Sequence, residues 1–299
     1  MALIKDYMPP SRENYEWVLY FFGYYFPLFS TMQWVTSWYG AGKTSADSRF
    51  NIPGKIAWLT MEAPGFCTLL YIMNTLPAET GLASLPLENK IMGSLFVIHY
   101  IYRALMCPFL NPSMAPIHPF VWLSALTFQL CNGTSIGCWL AGYGPTTRAE
   151  WQKEANYKAA GRMMLGIMIW ALGLGANIWH DDELREIRRA AARNQKKQAA
   201  EADPSTGKGK SGGKGVEKVY MIPQNGFFTW ILYPHYLCEW IEWAGFWMVG
   251  GLNCVPARNF LTNEIFAMLP RAVSGKKWYV DKFGKEKVGN RKAIIPGIL

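Results

Sequence analysis

Apolar residues in this chain gather in long runs rather than narrow amphipathic stripes, and a run of about 20 is what a helix needs to cross a bilayer. Six runs are well formed, over residues 17–38, 56–76, 91–110, 120–141, 163–179 and 227–249. A seventh, 254–269, is interrupted by Arg258, Asn263 and Glu264, which suits a re-entrant or strongly buried segment as well as a spanning one. The pattern predicts an all-α, polytopic membrane protein with seven transmembrane helices.

Charge adds an orientation. With the N-terminus lumenal and the C-terminus cytosolic, seven spans leave 21 of the 30 Lys/Arg on the cytosolic side, as the positive-inside rule favours. Six spans would set the two most basic regions on opposite faces. Composition agrees: the hydrophobic set is 51%, aromatics 15% and charged residues only 17%, against about 25% charged in soluble domains. The formal charge of +9 therefore reads as basic loops and excludes a nucleic-acid footprint. Met1-Ala2-Leu3-Ile4-Lys5-Asp6 lacks the basic-then-apolar order of a cleaved leader.

Three stretches follow. Residues 1–189 hold five predicted spans, 190–218 a flexible cytosolic insertion, and 219–299 the last two spans with a basic tail, all in one integral membrane domain. The insertion is called by composition, since Asp203-Pro204-Ser205-Thr206-Gly207 and the Gly/Lys-rich residues after it cannot bury enough apolar area to order themselves; contact with anionic lipid is a secondary reading. No internal repeat is evident, which weakens a transporter built from inverted halves. The six cysteines form no ligand-spaced cluster and read as small hydrophobes. No metal site is predicted.

Ionisable groups inside apolar runs are expensive and mark either a cavity or a buried pair. Glu62, just before Pro64 and Gly65, could pair with Arg103 or donate a hydrogen bond to a substrate carbonyl. Tyr100 and Arg103 are three apart on one helix face, a hydroxyl suited to an oxyanion and a guanidinium suited to phosphate, while His99 and Tyr102 are expected to point elsewhere. Asn177, Asp181, Arg185 and Arg188 form one stripe that could follow a dinucleotide from its uncharged end to its phosphates. Gly161, Gly166, Gly173 and Gly175 would allow a close helix neighbour. Asp182 and Glu183 read as cap and surface ion pairs. His235, Glu239 and Glu242 share another face, suited to ribose hydroxyls, to a nicotinamide amide, or to a network locking helices. In the tail, Arg271 and Arg291 could hold phosphates and Tyr279 could stack or donate, or all three could belong to a basic juxtamembrane anchor. Neither a GxGxxG after a strand nor a GxxxxGK[ST] is present, so a dinucleotide would have to lie among the helices.

Five ordered pieces carry a family resemblance. They are Leu174-Gly175-Ala176-Asn177-Ile178-Trp179-His180-Asp181 with Leu184 and Arg185, Tyr220 to Phe228, Glu239 to Phe246, Pro270-Arg271-Ala272, and Arg291 to Pro296. Glu62-Ala63-Pro64 and His99-Tyr100 followed by Arg103 match more loosely. Together they resemble the steroid 5-alpha-reductase family, in a divergent member of fungal type. The resemblance implies a seven-helix enzyme of the endoplasmic reticulum membrane that uses NADPH to reduce the carbon–carbon double bond of a 3-oxo-Delta4 steroid or sterol-like lipid, with hydride to C5 and a proton to C4. It implies that Glu62 and Tyr100 hold the 3-keto oxygen, and that Asn177, Asp181, Arg185, Arg188, Glu239, Arg271 and Tyr279 hold the cofactor. Asn111 takes the place of a further cofactor-side asparagine.

Departures from the family pattern concern the substrate. Met61 stands where the vertebrate steroid enzymes have glutamine, His235 where they usually have asparagine, and Ser274 and Gly275 where they have histidines. A sterol intermediate or another lipid enone thus fits nearly as well as a steroid hormone. The alternatives are a trans-2-enoyl-CoA reductase of very-long-chain fatty-acid elongation, an isoprenylcysteine methyltransferase, and a non-enzymatic membrane scaffold or transporter. No obligate protein partner is inferred.

Overall fold

Caps, prolines and glycines set where the helices begin and end. In the computed structural model, which describes residues 2–36, 38, 41, 48–153, 156–201 and 220–299, helix α1 (Arg12–Ser30) starts where Ser11 Oγ accepts the Asn14 N–H at 3.3 Å. Helix α2 (Gly54–Glu79) contains Pro64 and Pro77. Helix α3 (Leu87–Tyr100) passes through a π-helical turn, Ile101–Met106, into the short α4 (Cys107–Leu110). Helix α5 (Pro119–Cys138) opens on a proline, whose missing N–H is no loss at a first helical position, and ends in a second π turn, Trp139–Tyr143. After α6 (Arg148–Trp151) comes the long α7 (Asn156–Glu201). Helix α8 (Pro234–Gly250) stops at Gly251 with φ +83°, and α9 (Val255–Phe283) at Gly284 with φ +85°, left-handed conformations that glycine adopts without strain. The short α10 (Lys285–Val288) precedes the tail.

The closest packing is α7 on α8 and α2 on α5. A Cβ on Gly245 would lie 2.5 Å from the Trp170 nitrogen, and one on Gly173 2.4 Å from the Glu242 nitrogen. Gly166 faces Gly245 across the same crossing, whereas Gly161 and Gly175 have nothing within 4 Å, so half of the expected glycine stripe serves it. Phe96, Tyr100, Trp243, Phe246 and Phe260 centre one apolar core, and Tyr233, Tyr236, Tyr279 and Ile294 a second one under the tail. There the chain end is hydrogen-bonded back: Leu232 N–H donates to Lys292 O at 2.9 Å and Tyr233 N–H to Ala293 O at 3.0 Å.

The all-α class holds, but seven spans do not. Among the described residues three helices are long and apolar enough to cross a membrane: Gly54–Glu79, Leu87–Leu110 and Lys158–Asn194. They mark a membrane-associated chain. The other four predicted segments fall short for physical reasons. Helix α1 is built of Trp and Tyr around Pro27 rather than of aliphatic residues. Helix α5 buries Gln129, Asn132, Thr134 and Ser135. Helix α8 is 17 residues long and carries two glutamates. Helix α9 holds Arg258, Asn263, Glu264 and Arg271 along its length. The lumenal-to-cytosolic orientation depends on the alternation of seven spans and falls with the count. Helix α7 continues to Glu201, into the first part of the predicted insertion, and the rest of that insertion, 202–218, lies outside the described residues.

Four cysteines, Cys107, Cys138, Cys238 and Cys254, are buried as expected; Cys67 is exposed, and all six are free thiols.

Candidate functional site

The π turn after Tyr100 re-phases the helix that carries most of the site. Inserting an i→i+5 turn breaks the 3.6-residue period and re-phases Tyr102 and Arg103 relative to His99 and Tyr100; all four reach partners. Tyr100 Oη accepts from Asn132 Nδ2 at 3.2 Å. His99 Nδ1 meets Glu242 Oε1 at 2.7 Å, and Tyr102 accepts from Arg185. Arg103 Nη1 lies 3.4 Å from Asp181 Oδ2, and its Nη2 lies 3.7 Å from Glu239 Oε2. The expectation that His99 and Tyr102 point away is corrected by these contacts.

Glu62 takes a different partner from the one its charge suggests. Its Oε2 accepts from Gln129 Nε2 at 2.5 Å, while Arg103 joins Asp181 and Glu239. The carboxyl nonetheless stays within electrostatic range of Arg103, Glu239 and His99.

Each member of the α7 stripe meets a residue outside α7. Asn177 Nδ2 donates to Glu239 Oε2 at 3.2 Å and to the His235 carbonyl at 2.9 Å. Asp181 faces Arg103, Arg185 faces Tyr102, and Arg188 Nη1 donates to Asn111 Oδ1 at 3.2 Å. Eleven steps of about 1.5 Å make the stripe roughly 16 Å long, from buried Asn177 to exposed Arg188. The three consecutive acids diverge: exposed Asp182 pairs with buried Arg185 and with Arg189, and Glu183 accepts from Asn225. No cluster of three or more His, Cys, Asp or Glu with metal-ligand geometry occurs among the described residues.

The tail residues separate. Tyr279 is buried, which pushes its phenol up to about 12, and Arg188 lies near enough to act against that shift. The Arg271 guanidinium sits 5.8 Å from the centre of the Tyr236 ring. Arg291 is spent on the chain itself, donating to the carbonyls of Phe228, Lys287 and Val288 and to Gln224 Oε1. Its contacts clasp the tail to the 220s segment.

Comparisons with known proteins place the chain in a family. A family model described as 3-oxo-5-alpha-steroid 4-dehydrogenase matches residues 115–199 and 212–299. An uncharacterized protein of Schizosaccharomyces pombe is 33% identical over 84% of this chain and 86% of its own length. A steroid 5-alpha-reductase of Solanum lycopersicum is 30% identical over 91% of each. The 3-oxo-5-alpha-steroid 4-dehydrogenase 1 of Homo sapiens is 29% identical over 83% of this chain and 81% of its own. The chain belongs to the steroid 5-alpha-reductase family. Membership in that family makes it an oxidoreductase-type enzyme of lipid and steroid metabolism, associated with the membrane through its apolar helices.

Seen as a member of this family, the chain carries polar groups that spacing alone did not select. Gln129 and Asn132 sit in a run that reads as a plain apolar span. The available signal was a polar side chain in an apolar run, an amide here where Glu62 offered a carboxyl.

Proposed function

We propose that the protein reduces the carbon–carbon double bond of a 3-oxo-Delta4 steroid or sterol-like enone with NADPH, in the endoplasmic reticulum membrane. When bound, the reduced nicotinamide would supply the hydride that is added at C5. The rest of the chemistry belongs to side chains of this chain. Glu62 and Tyr100 hold the 3-keto oxygen. Negative charge grows on that oxygen as the enone is reduced, so donors fixed there stabilise the transition state more than the substrate.

The fit of a dinucleotide is supported by the α7 stripe, which stays largely buried from Asn177 to Arg185 and is exposed at Arg188. Asn177 and Glu239 are shut from solvent and offer amide and carboxylate partners for an uncharged ring. Asp181, Arg185 and Asn111 follow, and Arg188 lies in the aqueous end, where phosphates belong. His235, Arg271, Tyr279 and Arg291 flank this path in our reading, with Arg291 acting through its hold on the tail.

One observation carries the proposal. Glu62, Tyr100 and the Asn177–Glu239–Arg103–Asp181 network are drawn from α2, α3 with its π turn, α7 and α8, and Tyr100 and Arg103, three residues apart, bring the two sets together. The test is an assay of purified protein with NADPH against a 3-oxo-Delta4 steroid, a trans-2-enoyl-CoA and a polyprenal, with products identified by mass. Saturated 3-keto product is expected. Reduction of the enoyl-CoA alone would replace this reading with the elongation enzyme, and no reduction of any of them would favour the scaffold.

A further inference from the structure

Both groups that hold the substrate oxygen in the reading above are themselves held from α5, a helix that brings no charge. Gln129 and Asn132 stand three apart and share a face. Gln129 reaches Glu62 at 2.5 Å and Asn132 reaches the Tyr100 hydroxyl at 3.2 Å. Gln129 is 5% exposed and Asn132 0%. An amide at that depth is unfavourable unless bonded, so two of them on one apolar face call for an explanation. The backbone is arranged for the contact: a Cβ on Gly65 would lie 2.5 Å from Gln129 Oε1, and one on Gly133 2.1 Å from the Gly65 carbonyl. Helix α2 and helix α5 therefore cross closely at the point where the amide meets the carboxyl.

We propose that Gln129 and Asn132 are positioning residues, Gln129 fixing the Glu62 carboxyl and Asn132 the Tyr100 hydroxyl, an inference that rests on the enone-reductase reading. The donor count is consistent. A phenol that accepts from Asn132 keeps its own hydrogen free to donate, and a carboxyl fixed through Oε2 keeps Oε1 for a second contact. Neutral amides do this without adding a charge beside Arg103, Glu239 and His99. Met61, buried next to Glu62, has no hydrogen on its side chain to donate. The acceptor oxygens of both amides take no hydrogen bond from the protein among the described residues, so each amide is engaged here as a donor.

The experiment compares wild type, Gln129→Met and Asn132→Leu as full chains in lipid, with two readouts. One is turnover of a 3-oxo-Delta4 steroid with NADPH, resolved into kcat and KM. The other is labelling of Glu62 by dicyclohexylcarbodiimide, read by peptide mass. Gln129→Met is expected to change the Glu62 labelling rate several-fold and Asn132→Leu to leave it unchanged. Both are expected to lose kcat by about tenfold, the scale of one hydrogen bond to a charged or reacting group, with NADPH affinity kept. Gln129→Asn retains an amide but retracts it by one methylene and moves the labelling the same way, which covers a Gln129→Met chain that fails to fold. Wild-type-like Glu62 labelling in the Gln129 variants would overturn the inference. Labelling needs no substrate, so a wild type that reduces no steroid would end the functional reading while leaving the hold on Glu62 open to measurement.

Discussion

His99 Nδ1 stands 2.7 Å from Glu242 Oε1, joining α3 to α8 with both side chains shut from solvent. The other ring nitrogen faces Glu239 Oε1 at 4.0 Å, and the Trp243 ring lies 4.5 Å from the imidazole. Removing one partner leaves the other polar and dry, at about 1–3 kcal/mol. Glu242→Leu is therefore expected to lower the thermal midpoint sharply in detergent or lipid. The double variant His99→Phe/Glu242→Leu should recover part of the loss, because it takes away both desolvated groups. Strictly additive losses would show that the two residues act apart.

The α7–α8 crossing makes a second prediction. Gly245→Val would drive a side chain into the Trp170 backbone, where even a Cβ finds only 2.5 Å. Folded yield is expected to collapse, along with the Asn177–Glu239 contact that the same crossing sets. Gly175→Ala, with nothing within 4 Å of its Cβ, should be neutral or stabilising by up to about 1 kcal/mol, the helix-propensity gain of alanine over glycine. The two midpoints, measured side by side, decide it. Similar behaviour would mean that the crossing is not tight.

Much of this was legible because polar residues in apolar runs are rare enough to stand out. Asn177, Asp181, Arg185 and Arg188 form a stripe, and each bonds outside its own helix: Asn177 to α8, Asp181 and Arg185 to the π turn, and Arg188 to Asn111 at the end of α4. What spacing could not give is partner choice across helices. Glu62 looked like a match for Arg103 by charge, yet the crossing at Gly65 brings Gln129 to it first. His99 finds its partner, Glu242, on another helix, and the π turn that begins at Ile101 sets Tyr102 and Arg103 in a phase that a 3.6-residue period does not predict. The span count failed for a related reason. Runs such as 120–141 and 254–269 contain the amides and charges that the fold buries against other helices, and length alone does not separate a bilayer-crossing helix from a strongly buried one.

The division between substrate and cofactor residues is testable by their different readouts. Glu62→Gln and Tyr100→Phe are expected to cut turnover by about 10²–10³, the usual effect of losing one donor to a developing oxyanion, while NADPH affinity stays near wild type. Arg188→Ala should do the reverse, weakening NADPH several-fold with a smaller change in kcat at saturation. That weakening should shrink at high salt, since Arg188 is exposed and screened. Cofactor titration by fluorescence, paired with steady-state kinetics, separates the groups. If all three variants lose affinity and turnover in step, the assignment is wrong.

Acid should loosen the start of α6 before it reaches the buried network. Glu150 Oε2 accepts the N–H of Thr146 at 2.8 Å, the N–H of Thr147 at 2.9 Å and the Thr147 hydroxyl at 3.0 Å, while Thr147 Oγ1 accepts the Glu150 N–H at 3.2 Å. These bonds, the Thr146 N–H first, hold the carboxyl below its ordinary range. A carboxyl depressed in the folded chain binds fewer protons there than when unfolded, so its contribution is present above the unfolded value of about 4.3 and disappears as pH falls through the folded one. Hydrogen exchange at the Thr146, Thr147 and Glu150 amides is expected to rise below about pH 4. Next door, Trp151 Nε1 donates to buried Asn89 Oδ1 at 2.7 Å, so the disturbance should stop there. Glu150→Gln has no carboxyl to titrate and should show no such step; an equal step in that variant would assign the acid response to another group.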